Sequence, residues 1–310
     1  MNEQVKLLLD DVKQHYTMPV DVVIDGPASG VLTHTQSAQK LLANGHLELK
    51  VADTTNVDYT LSHELLHMKL VTAGFSPLQY RLATGDPDVD QQFFAVGTSL
   101  YDSVMHVQIR AEQAKMGLLT GETMKQLGAG VTASLPDDPR PDQLVYCIMT
   151  LLDALVMFEG GSKPQLKYWQ ANFPDALPLA QELYATITSK STATPFDFRR
   201  MVVRIWRQFD QILQKHGFQE TANAEFATLP PILSERQLRL NLNQTYEILH
   251  SEMTDRATKK RAYVAMGKGD QQNAFVLPLA DLSSEGFQQL YQTPLKTVLL
   301  QYQVDYAIRD

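Results

Sequence analysis

Two histidines four residues apart in a run of helical apolar spacing, His63-Glu64-Leu65-Leu66-His67, constrain this chain more than any other feature. On an α-helix such residues lie about 40° apart in projection and ~6 Å apart along the axis, so both imidazoles can converge on one cation. Zinc takes neutral imidazole at roughly 2.0–2.1 Å, and a catalytic zinc keeps three protein ligands and one position for water. Glu64 projects near the same face, where a carboxylate can accept a proton from that water. A stable helix is required here, and so is a third ligand from elsewhere.

The surrounding sequence supports the helix. Val57, Leu61, Leu65 and Met68 repeat at helical spacing. Thr55, with Asp58 three residues on, is a capping-box-like start, and Gly74 and Pro77 supply a stop. Upstream, Leu47, Leu49 and Val51 alternate with Glu48 and Lys50, the pattern of a half-buried strand over 46–53. Val20–Ile24 and Val31–Thr33 also read as strands, and residues 38–45 as a short helix or a hairpin arm turning at Asn44-Gly45.

A second long helix follows. Asp86-Pro87-Asp88 is a strong start, an N-cap acid followed by proline at the first helical position. The pattern runs to Met116, with Gly97 as a point of interruption. On it Asp102, His106 and Arg110 are spaced four apart and form one polar stripe among Leu100, Val104, Val107 and Ile109. Two ligand assignments are open. Either His106 ligates the metal and Asp102 accepts a hydrogen bond from a ligand imidazole, or Asp102 ligates and His106 donates in the transition state. The first is favoured, because imidazole suits zinc and a carboxylate suits the supporting role. Glu112 points to a different face. Without metal, the same stripe reads as an ion-pair network, Asp102–Arg110 or Asp102–His106. Arg110 or Tyr101 is a candidate to stabilise a developing oxyanion. His15, His34, His46 and His216 have no matched partners, and His250 reads as a surface residue.

Residues Leu47–Asp53, HELLH and the later helix together resemble the zincin metallopeptidases, over roughly residues 20–117. The resemblance implies an edge strand that pairs with an extended peptide, and hydrolysis by a zinc-activated water with Glu64 as general base. The segments VADTTNVDYTLSHELLH, LYDSVMH, PFDFRRMVVRIW and LSERQLRL resemble the IpaB/EvcA family of lactic acid bacteria. That second resemblance implies that the rest of the chain travels with the zincin-like part as one protein. No third-ligand signature or Met-turn of well-studied zincins is present.

The expected fold class is α+β: a zincin-like part over 1–127 (a small sheet and two long helices), a helical region over 128–230 and a small α+β unit over 231–310. Residues 128–141, GAGVTASLPDDPRP, read as the linker between the first two. Residues 142–158, 177–189 and 195–216 read as helices, the last carrying the core stripe Phe198, Met201, Val202, Ile205, Trp206, Phe209 and Ile212. Leu238, Leu240 and Leu242 alternate like a strand. Ala262–Met266 and Ala274–Leu279 read as hairpin arms around Gly267–Gln272, and Val298–Ile308 as strand-like.

Composition bounds the function. The formal net charge of −8 over 310 residues argues against a nucleic-acid or anionic-membrane partner. The single cysteine, Cys147, allows neither an internal disulfide nor a cysteine zinc cluster, and it sits in an apolar helical run as a core residue. The start of the chain lacks a secretory signal, and no apolar run approaches the ~20 residues that span a bilayer, so a cytoplasmic protein is expected. The expected partner is a peptide or protein substrate and the expected cofactor Zn2+, held by His63, His67 and His106, with Asp102 as alternative third ligand. A retained Glu64 favours a metallopeptidase or amide hydrolase over a non-catalytic zincin scaffold that binds a peptide or protein, since a purely structural zinc needs no general base.

Overall fold

The computed structural model of the chain describes residues 1–279 and 282–309, and its architecture is α+β. The chain begins with helix α1 (Glu3–His15), strand β1 (Val20–Ile24), a 3₁₀ turn at His34–Gln36, and strands β2 (Ser37–Leu41) and β3 (Leu47–Val51). Helix α2 (Val57–Thr72), strand β4 (Leu82–Ala83) and helix α3 (Pro87–Lys115) follow. Next come helices α4 (Gly121–Ser134), α5 (Leu144–Met157), α6 (Lys163–Asn172), α7 (Ala176–Thr188), α8 (Pro195–Lys215) and α9 (Asn223–Phe226). The remainder is β5 (Ile232–Leu233), α10 (Glu235–Leu238), α11 (Leu242–Thr245), β6 (Tyr246–Asp255), β7 (Arg261–Gly267), β8 (Asn273–Leu277), α12 (Ser284–Gln292), α13 (Leu295–Gln301) and β9 (Ala307–Ile308).

These elements form two compact units, Met1–Ala73 with Met105–Ala185, and Gly74–Val104 with Thr186–Asp310. The units are discontinuous in sequence, unlike the three consecutive regions expected. The expected boundary at 127/128 falls inside α4.

In the first unit, β3 is the middle strand of a three-stranded sheet, parallel to β1 (Val20↔Leu47 to Ile24↔Val51) and antiparallel to β2 (Ser37↔Val51 to Leu41↔Leu47). Its alternation is as expected, with Leu47, Leu49 and Val51 buried. Its position is not: both of its sides are paired, so the outer strands are β1 and β2. Residues 31–33 form no strand. They are held instead against α4, where Leu32 donates to the Gln126 carbonyl at 3.1 Å and is buried. A Cβ at Gly130 would sit 1.8 Å from the Leu32 carbonyl oxygen, so glycine is what lets the two backbones approach. This is why the glycines of 128–134 continue a helix instead of opening a linker.

Helix α2 is capped by Asn56, whose side chain accepts from the Tyr59 amide at 3.1 Å. Thr55 serves the preceding loop instead, its hydroxyl accepting from the Gly30 amide at 2.8 Å. Helix α6, absent from the sequence reading, starts on a capping box of Ser162 and Gln165.

In the second unit, α8 buries the whole predicted stripe from Phe198 to Ile212. The α3 start is as expected, Asp86 Oδ1 accepting from the Asp88 amide at 2.9 Å. Gly97 does not interrupt this helix. A Cβ there would meet the Tyr80 hydroxyl at 2.6 Å and Asn223 Oδ1 at 2.7 Å, and its carbonyl accepts from Trp206 Nε1 at 3.1 Å. Strands β4-β6-β7-β8 form an antiparallel sheet, with β7 and β8 as the expected hairpin. Of the alternating leucines, Leu238 ends α10, Leu242 starts α11 and Leu240 lies in the bend between them, because capping boxes at Ser234–Gln237 and Asn241–Gln244 close helical turns there. Val298 and Leu299 belong to α13, and only Ala307–Ile308 of that stretch is strand, pairing with β5.

Candidate metal centre

Helix α2 brings His63 and His67 to one point, as the i, i+4 spacing requires. Their Nε2 atoms lie 3.2 Å apart. Two nitrogens bound to one tetrahedral zinc at ~2.05 Å are about 3.3 Å apart, so this separation is the one a shared cation needs. His106 arrives from α3, its ring centroid 4.7 Å from that of His63 and 5.4 Å from that of His67. The three histidines expected as ligands are thus neighbours within the first unit, but the set whose nitrogens lie within reach of one ion takes His34 in place of His67.

A fourth imidazole joins them. His34, from the 3₁₀ turn, stacks on His63 at 4.6 Å between centroids and 20° between planes, and meets His106 at 4.4 Å. One nitrogen from each of His34, His63 and His106 lies within 4.8 Å of the others, and this set could hold a metal ion. Asp153 on α5 is the group's carboxylate. His106 Nδ1 is 2.5 Å from its Oδ1, and His34 Nδ1 is 3.1 Å from its Oδ2. Two imidazoles that donate from Nδ1 to one carboxylate keep their lone pairs on Nε2, the arrangement that makes a histidine a metal ligand.

Electrostatics favour the neutral ligands. Burial, followed by the neighbouring imidazoles, holds His63 and His67 well below the ordinary histidine range. Burial would raise the Asp153 carboxyl, but His106 and His34 outweigh it and keep Asp153 ionised, well below the usual carboxylate range. The opposite side of His63 is unbalanced: Nδ1 is buried and has no hydrogen-bond partner among the described residues.

Glu64 turns toward the outer strand. Ser37 Oγ donates to its Oε1 at 2.6 Å and Gln39 Nε2 donates to its Oε2 at 2.8 Å. Both donors come from β2.

The rest of the polar stripe on α3 does other work. Asp102 is not part of the histidine group; it lies on the α3 segment of the second unit, where its charge adds to the burial that raises Tyr101 and Tyr80. The hydrogen bond that Asp102 was expected to accept from a ligand imidazole is accepted by Asp153. Arg110 Nε donates to the Met157 carbonyl at 2.8 Å and Nη1 to Glu159 at 2.7 Å. The Tyr101 hydroxyl donates to the Ser76 carbonyl at 3.0 Å within the second unit. Neither residue is placed as an oxyanion donor. Cys147 is buried, and burial raises its thiol, in keeping with a core role.

His34, Asp153, Ser37 and Gln39 were not legible as site residues in the sequence. Asp153 left a signal: it is the one charged residue in the 14-residue helix LVYCIMTLLDALVM, and an acid in so apolar a helix must find a partner. His34 left none, since it comes from a turn whose spacing to HELLH carries no periodicity. Compared with family models, curated proteins and solved structures, the chain matches none, so the chemistry of the site is read from its own residues.

Proposed function

We propose that this chain is a zinc-dependent amide hydrolase, acting on a peptide or protein, with Glu64 as general base and His63, His67 and His106 as metal ligands. The observation that carries the reading is the 3.2 Å approach of the His63 and His67 Nε2 atoms beside a carboxylate-oriented His106. An all-nitrogen donor set without cysteine suits zinc among the common divalent ions.

Zinc bound there supplies Lewis acidity and an acidified water. The chain's own residues do the rest. Asp153 fixes the ring of His106 with its acceptor nitrogen inward. Glu64, oriented by Ser37 and Gln39, accepts the proton of the nucleophile and returns it to the leaving amine. Strand β2, one of the two outer strands of its sheet and the one whose side chains hold Glu64, is the element to pair with an extended peptide; this role moves from β3, which has no free side.

A second reading is favoured by His34. Four imidazoles around one point can fill a tetrahedral ion completely, and a closed site is the mark of a structural metal. In that case the protein is a non-catalytic, peptide- or protein-binding scaffold. Glu64→Gln separates the two. The hydrolase reading expects peptide cleavage by the wild type to fall at least ~10²-fold in E64Q with metal content unchanged. Equal inertness of both on a broad peptide library selects the scaffold.

A further inference from the structure

The second unit holds a cavity of about 400 Å³, and its lining is basic although the chain is acidic overall. Arg199, Arg200, Lys268 and Arg309 line it, against Asp270 as the one carboxylate among the described lining residues. That carboxylate is already committed. Arg199 is buried, pairs with Asp270 through Nη1, and donates from Nε to the Pro230 carbonyl at 3.2 Å and from Nη2 to the Leu229 carbonyl at 3.3 Å. Gly267 permits this pairing, since a Cβ there would sit 2.3 Å from Asp270 Oδ1.

Three cations remain at the cavity. Arg200 and Arg309 share the Phe196 ring, with Cζ atoms 5.5 Å and 4.4 Å from its centroid. They come from distant parts of the chain: Arg200 from the first turns of α8, and Arg309 from the end of β9, where its amide is tied to the Leu233 carbonyl at 2.8 Å. Lys268 comes from the turn Gly267-Lys268-Gly269-Asp270 between β7 and β8, its Nζ donating to the Asn243 carbonyl at 2.6 Å. None of the three has a carboxylate partner among the described residues. Like charges gathered by three separate segments repel each other unless an anion is present.

We propose that this cavity binds a small phosphorylated ligand, with Arg200, Arg309 and Lys268 as charge partners and Phe196 as the platform that orients the two guanidinium groups. Three cations exceed what one carboxylate balances, whereas a phosphate monoester carries about −1.5 to −2 at neutral pH and matches the Arg fork. The volume lies in the range of small-molecule sites.

Isothermal titration with pyrophosphate and with inorganic phosphate tests this at constant ionic strength, with acetate and sulfate as competing anions. Wild-type protein is expected to bind pyrophosphate saturably, and binding should weaken at least about tenfold in the doubly substituted R200A/R309A protein. H63A is expected to bind like wild type, which separates this cavity from the histidine cluster. Because Arg200, Lys268 and Arg309 are exposed, the variants should keep wild-type melting temperatures. Should the double variant fail to fold, K268A supplies the same comparison. The proposal is overturned by absence of saturable binding, by equal affinity in R200A/R309A or K268A, or by acetate competing as well as phosphate.

Discussion

At the residue scale the account turns on Asp153. One carboxylate receives two imidazoles, His106 at 2.5 Å and His34 at 3.1 Å, and so sets which nitrogen of each carries the lone pair. Replacing Asp153 by Asn removes the charge while keeping the shape, and an amide cannot accept from both rings with the same strength. The expected outcome is a metal affinity lowered about 10- to 100-fold, measured by competition with a chromogenic chelator, with the far-ultraviolet circular dichroism unchanged. A wild-type affinity in D153N would detach Asp153 from the site. The sequence disclosed His63, Glu64, His67 and His106 because helical spacing converts directly into geometry. It concealed His34, Ser37 and Gln39, because a turn and a hairpin arm place side chains by tertiary pairing, which no local period records.

At the element scale, the site is held by a helix start and by a backbone crossing. The Asn56 side chain caps α2 six residues before His63's neighbour Ser62. Asn56→Ala should cost about 1 kcal/mol of stability in denaturant unfolding. The crossing of α4 with residues 31–33 matters more, since that loop leads into His34. Gly130→Ala would force a methyl against the Leu32 carbonyl, and destabilisation of about 1–3 kcal/mol is expected, together with weaker metal binding if His34 shifts with the loop. Helices with long apolar stripes, such as α8, were readable because burial repeats with the helical period. The alternating leucines at 238–242 misled because short capping boxes decide the backbone over four residues, a range in which periodicity carries little information. The role of β3 was misassigned for a related reason: alternation reveals which face of a strand is buried, not whether its edges are paired.

At the scale of the whole molecule, protonation and metal act on stability together. His63 and His67 titrate well below the ordinary histidine value in the folded chain, so the unfolded chain binds more protons once the pH drops below ~6.5. Stability of the metal-free protein should therefore be fullest above that pH and fall as the pH drops through and below it. A second loss follows at lower pH. Burial raises the Asp53 carboxyl, but hydrogen bonds from Ser29 and Thr55 outweigh it and hold it at about 2. Its contribution, about 2 kcal/mol, is complete above ~4 and disappears as the pH falls from there toward 2. Urea titrations between pH 8 and pH 3 check the first loss and the onset of the second; a flat profile from pH 7.5 to pH 5 would contradict the buried, neutral state of the two histidines.

The proposed function requires the imidazoles of α2 and α3 to hold a divalent ion. It is tested most directly by elemental analysis of protein purified without chelator, wild type beside H63A and H106A. About one equivalent of zinc is expected in the wild type, with strong depletion in both variants and no change in their secondary structure. Metal far below one equivalent in the wild type after exposure to zinc, or content unchanged by H63A, would contradict it.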